Sequence, residues 1–136
     1  MRIERITDMA EVIKCLPFEA TIRAKKRETI RESKMLMFIQ SVIDNPFFGY
    51  FMVYDDNDEV IGYVIGLMNL MPEMENLSII RMVATTKEVR LLIEKTLTAW
   101  MKEYKVKKAT ITTNKHIKAI KRYGFNIVSV NMERRI

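Results

Sequence analysis

The chain offers one histidine and one cysteine for chemistry, His116 and Cys15. With a single imidazole, any serine–histidine–acid triad has to use His116. A metal site has to be built mostly from carboxylates, which suits magnesium or calcium better than zinc. His116 stands among lysines, where a polar histidine reads as a surface residue, and no metal site is expected. Cys15 allows no internal disulfide and excludes the usual multi-cysteine zinc sites. It falls near the end of a short helical stretch and reads as buried and inert. The remaining chemistry lies in the charge. Residues 101–136 carry ten Lys and Arg against two Glu, and residues 21–34 carry six against two. Residues 35–100 carry four against nine Asp and Glu, within a net charge of +6. Two basic blocks around an acidic middle suit phosphates, whether on a cofactor, a nucleic acid or an acidic partner. The same pattern serves equally as a solvated surface.

The elements that must carry these residues follow from periodicity. Residues 2–6 read as an edge strand. Asp8 with Glu11 resembles a capping box, and Met9, Val12, Ile13 and Leu16 then share a helical face that Pro17 is expected to end. Residues 18–31 are helical in composition. A further amphipathic helix carries Leu36, Ile39, Val42 and Ile43 and stops at Asn45-Pro46. The period then changes to two. Residues 47–54, 60–70 and 77–84 read as three strands of an antiparallel meander, joined by turns at 55–58 and 71–76. Gly62 and Gly66, inside the second of these, signal bulges or close backbone approach.

Thr85 followed by Glu88 is a second capping box, and the longest helix follows. Its stripe is Val89, Leu92, Ile93, Thr96, Leu97, Trp100, Met101 and Tyr104. Trp100, on that stripe, reads as core. Residues 107–112 alternate as a strand. A basic helix from about 115 to 123 is closed by Gly124, and a last strand covers 125–132. The order β-α-α-β-β-β-α-β-α-β predicts an α/β (α+β) fold, a mixed and mainly antiparallel sheet flanked by helices. The six methionines Met35, Met37, Met68, Met71, Met74 and Met82 can line an adaptable surface, but core filling is the expected use.

At 136 residues, 49% hydrophobic and 29% charged, the chain reads as one domain spanning 1–136. No apolar run approaches the roughly 18–20 residues that span a bilayer. No apolar stretch of signal-peptide length opens the chain. The expected protein is soluble and cytoplasmic, without a membrane partner. The chain ends soon after its last strand, so a sheet edge is expected to remain, and a homodimer through that edge is one way to cover it.

This element order resembles the GNAT superfamily of acyl-CoA-dependent N-acyltransferases over nearly the whole chain. Two local features add to it. One is the strand-to-helix step Met82-Val83-Ala84-Thr85-Thr86-Lys87-Glu88-Val89-Arg90. The other is the corner Lys121-Arg122-Tyr123-Gly124-Phe125, similar to the Gly-Phe that closes the last helix in many members. The resemblance implies acetyl-CoA as cofactor, an amine as acceptor, and a GNAT-like order of elements. It implies cofactor contacts from Met82, Val83, Ala84, Thr85, Thr86, Lys87, Arg90 and Asn114. Backbone N–H groups around 82–84 would serve the thioester carbonyl, and the helix start the pyrophosphate. Glu73 and Glu75 are the nearest candidates for a general base. The family's general-acid tyrosine would fall at Ile120, which leaves Tyr123 as its substitute. The family's cofactor loop carries glycines, and this one has none.

Two functions therefore stand side by side. The first is an acetyl-CoA-dependent N-acetyltransferase that transfers an acyl group to an amine. The second is a catalytically inactive binding or structural module of the same fold within a larger assembly. Its docking face, for a protein partner or a nucleic acid, would be the basic 101–136 segment. Missing loop glycines and a displaced tyrosine favour the second.

Overall fold

From Phe48 to Tyr54 every residue is buried, which a strand achieves only when both faces of its sheet are covered. In the computed structural model, which describes residues 1–26 and 32–111, helices provide both covers. The elements are β1 (Arg2–Arg5), α1 (Met9–Lys14), α2 (Leu16–Lys26), α3 (Glu32–Val42), β2 (Phe48–Tyr54), β3 (Val60–Asn69), β4 (Asn76–Ala84), α4 (Lys87–Glu103) and β5 (Ala109–Ile111). The five strands form one sheet in chain order. Pairing is antiparallel from β1 to β4 and parallel between β4 and β5. The expected mixed, mainly antiparallel sheet flanked by helices is what forms. The helix and strand expected at 115–123 and 125–132 lie outside the described residues, as do His116 and Gly124.

The N-terminal helices differ from expectation at Pro17. It opens a helix instead of ending one. Asp8 caps α1 by accepting from the Ala10 N–H at 2.9 Å, and Cys15 closes it. Pro17 is then the second residue of α2. There its fixed φ suits a helix and its missing N–H is one that no helical carbonyl would accept.

The two faces of the sheet hold separate cores. Under α1, α2 and α3 lie Tyr50, Met52, Tyr54, Tyr63, Ile65 and Val83, together with Val12, Cys15 and Ile39. Under α4 lie Phe51, Val53, Val64, Leu77 and Ile79, together with Val89, Ile93, Leu97 and Trp100. Close approach explains the strand glycines. A Cβ at Gly49 would come within 2.9 Å of the Trp100 ring, and one at Gly62 within 2.5 Å of the Val89 side chain. The methionines divide. Met68 is buried, and Met35 and Met82 pack at the edges of the cores. Met37, Met71 and Met74 are exposed, so core filling accounts for only part of the set.

Candidate active site

The corner between β4 and α4 is built by two threonines. The Thr85 hydroxyl donates to the Ile61 carbonyl at 2.7 Å, tying the end of β4 to β3. Thr86 is the residue that caps α4: its backbone is extended and its hydroxyl accepts from the Val89 N–H at 3.3 Å. The capping role expected of Thr85 thus belongs to its neighbour, because Thr85 is still held by the sheet. The N–H groups of Lys87 and Glu88 in the first turn have no intrahelical acceptor. Residues 85–88 are exposed. Arg90 is half-buried, with Nε 3.7 Å from Glu94 Oε1.

The edge of β4 leads into this corner. The Leu77 N–H bonds the Lys108 carbonyl, and the Thr85 N–H reaches the Ile61 carbonyl. Alternation back from Thr85 turns the backbone of Val83 towards β3 and that of Met82 and Ala84 away from it. Among the described residues, pairing with β5 ends at Ile79. The N–H groups of Met82 and Ala84 therefore face a side where no described strand pairs. Side chains alternate with the backbone: Met82 and Ala84 pack against the α4 core, and Val83 is buried in the opposite one.

This corner fits an anion. Two first-turn N–H groups, the positive end of a 17-residue helix and the Lys87 ammonium lie together in solvent. The outward N–H groups further down β4 offer separate donors to a carbonyl oxygen. Glycine plays no part here, and both threonine hydroxyls already hold the fold.

The other expected site residues are elsewhere. Glu73 and Glu75 are exposed in the turn before β4, and Glu73 has φ 68°. That turn is at the opposite end of β4 from α4, about 26 Å away along the strand at its usual rise. The structure does not bring them to the corner. Asn114 and Tyr123 lie outside the described residues.

One polar cluster escaped the sequence reading. Glu19 of α2 is buried, only 1% exposed, and its Oε1 lies 2.9 Å from Arg81 Nη2. The Tyr63 hydroxyl donates to Glu19 Oε2 and accepts from Arg81 Nε at 2.6 Å. Burial and the Glu19 carboxylate push the Tyr63 phenol up, against the pull of Arg81. Beside it, burial pushes the Cys15 thiol up to about 11, against its hydrogen bond with Tyr50. Cys15 is the inert buried thiol expected. The signal for the cluster was an arginine inside the apolar run of β4.

No helix among the described residues is long and apolar enough to cross a membrane. No protein-family model matches the chain, and no curated protein matches it. Solved structures do. A predicted acetyltransferase from Clostridium acetobutylicum, solved with acetyl-CoA, superposes with a TM-score of 0.75 at 13% identity, over 98% of this chain and 95% of that one. The aminoglycoside antibiotic 6′-N-acetyltransferase of Acinetobacter baumannii gives 0.74 at 11% identity, over 99% and 98%. An aminoglycoside acetyltransferase from an uncultured soil metagenomic sample, in complex with sisomicin, gives 0.68 at 14%, over 99% and 93%. The chain has the fold of the GNAT acetyltransferases.

Proposed function

We propose that this protein is an acetyl-CoA-dependent N-acetyltransferase acting on an amine. The observation that carries the reading is the corner between β4 and α4, where the N–H groups of Met82 and Ala84 point away from β3 and lead directly into the exposed start of α4. An acyl thioester supplies an acyl group already activated for attack by an amine. The chain's own residues do the rest. The first-turn N–H groups and Lys87, flanked by Arg90, hold phosphate oxygens. An outward N–H of Met82 or Ala84 donates to the oxygen on which negative charge develops. Catalysis then rests on holding the amine against that carbonyl.

Proton transfer is less local. Glu73 and Glu75 lie beyond reach of a group at Met82, directly or through one water, so the ammonium proton goes to solvent. Tyr123 keeps its proposed role as acid towards the coenzyme thiolate, and Asn114 as a cofactor contact. Polycationic amines are the first acceptors to try, because residues 35–100 are net acidic and two of the structural neighbours act on aminoglycosides.

One observation favours a second reading. Thr85 and Thr86 spend their hydroxyls on Ile61 and Val89, and the loop has no glycine. In that reading the protein is an inactive module that docks a protein or nucleic acid through its basic 101–136 segment. Incubation with acetyl-CoA and a polyamine, an aminoglycoside or a peptide amine, followed by assay of free thiol, tests the two. Thiol release above the hydrolysis rate with any acceptor supports the transferase. Release with none supports the module.

A further inference from the structure

Strand β4 changes faces at Ile80. Leu77 and Ile79 lie under α4, whereas Val83 lies in the core under α1–α3 and Arg81 reaches Glu19 of α2. Strict alternation would give residues 77, 79, 81 and 83 one face. The extra residue breaks the parity: Gly66 pairs with Ile79, but the preceding residue of β3, Ile65, pairs with Arg81. Ile80 is the bulge.

Without the bulge, Ile65 would meet Ile80 and Val64 would meet Arg81. The guanidinium would then stand under α4 beside Val89 and Ile93, in a core built from apolar residues. Burying a charge there without a partner is strongly unfavourable. On the α2 side the same guanidinium has the Glu19 carboxylate and the Tyr63 hydroxyl. Glu19 is the one buried charged residue among those described.

We propose that the Glu19–Tyr63–Arg81 network is a register lock that selects the bulged pairing of β4 with β3. Its consequence is positional. The bulged register turns the N–H groups of Met82 and Ala84 away from β3, and a slip by one residue would turn those of Arg81 and Val83 that way instead. Glu19 is thus a positioning residue for the acyl site. That consequence rests on the transferase reading, whereas the lock itself does not.

Nuclear magnetic resonance on the free protein reads the register directly. Cross-strand contacts pair Ile65 with residue 81 in the bulged register and with Ile80 in the slipped one. Arg81→Met makes residue 81 neutral and leaves the Glu19 carboxylate, Glu19→Gln with Arg81→Met makes residues 19 and 81 both neutral, and Arg81→Lys keeps the charge; the first two are the variants neutral at residue 81. The wild type and Arg81→Lys should show the bulged contact alone. Both neutral variants should show a second set of resonances with the slipped contact, at about a tenth of the population or more. A single bulged set in both neutral variants overturns the lock, as does slippage in Arg81→Lys. Unfolding of both neutral variants beside a folded Arg81→Lys also overturns it, because the pair would then hold the fold and not choose its register.

Acetyl-CoA titrated into the same proteins separates lock from function. A wild type that does not bind ends the transferase reading and leaves the register result standing. Affinity that falls as the slipped population rises supports positioning by Glu19. Unchanged affinity in a slipped variant overturns it.

Discussion

The Trp100 ring occupies the space that a side chain at Gly49 would need: a Cβ there would sit 2.9 Å from two ring carbons. The Trp100 ring of α4 can lie this close to β2 because residue 49 has no side chain beneath it. Gly49→Ala should destabilise the protein by about 1–3 kcal/mol through overpacking, measured by urea unfolding. Its partner in the β2–β3 pairing, Gly66, has more room and should cost less.

The stripe of α4 is not uniformly buried. Ile93 is fully buried, whereas Leu92 packs at the edge of the core. Ile93→Ala should therefore cost about 2–5 kcal/mol by leaving a cavity, and Leu92→Ala clearly less. Equal losses in thermal unfolding would mean that the helix is rotated from the position described.

Stability should fall in alkali, and Cys15 should be part of the reason. Burial raises its thiol from 9.0 in the unfolded chain to about 11 in the folded one. Below pH 9 both states hold the proton and stability is unaffected. Between about 9 and 11 only the unfolded chain loses it, so unfolding becomes easier as pH rises. The thiol's share is about 2–3 kcal/mol at the upper end. Tyr50 and Tyr63, also raised by burial, add in the same direction. Denaturant midpoints at pH 8 and 10 check this: Cys15→Ala should show a smaller drop than the wild type.

Lys87 is exposed on the first turn of α4. Lys87→Glu should leave stability within about 0.5 kcal/mol, with the helix dipole favouring the new charge. A large fall in melting temperature would show that Lys87 holds the corner together and does not simply face solvent.

The sequence made most of the fold legible because each element states its period locally. The meander shows in the aromatic and β-branched runs around the turns at 55–58 and 71–76, and α4 shows in its stripe from Val89 to Tyr104. What it hid depends on partners distant in the chain or on a shift of one residue. Pro17 can end one helix or open the next, and the Glu19 N–H bonded to the Cys15 carbonyl shows that it opens α2. Thr85 and Thr86 both stand at capping distance from later residues, and the bond from Thr85 to Ile61 settles which one caps. The bulge at Ile80 has no local mark in Leu77-Ser78-Ile79-Ile80-Arg81-Met82, although Gly66, read as a sign of a bulge or close approach, stands opposite it on β3. Arg81 hinted at a buried partner, but nothing in the chain pointed to Glu19. The candidate corner was legible as a stretch of sequence, and the direction of its backbone N–H groups was not, because that depends on the bulge at Ile80.

The central claim is that the start of α4 binds the phosphates of acetyl-CoA, and calorimetric titration tests it most directly. The account predicts a micromolar dissociation constant for the wild type and binding weaker by about tenfold or more, some 1.4 kcal/mol, for Lys87→Glu with its fold intact. Absence of heat and of any thermal shift with the wild type at millimolar cofactor would contradict it, as would equal affinity in the two proteins.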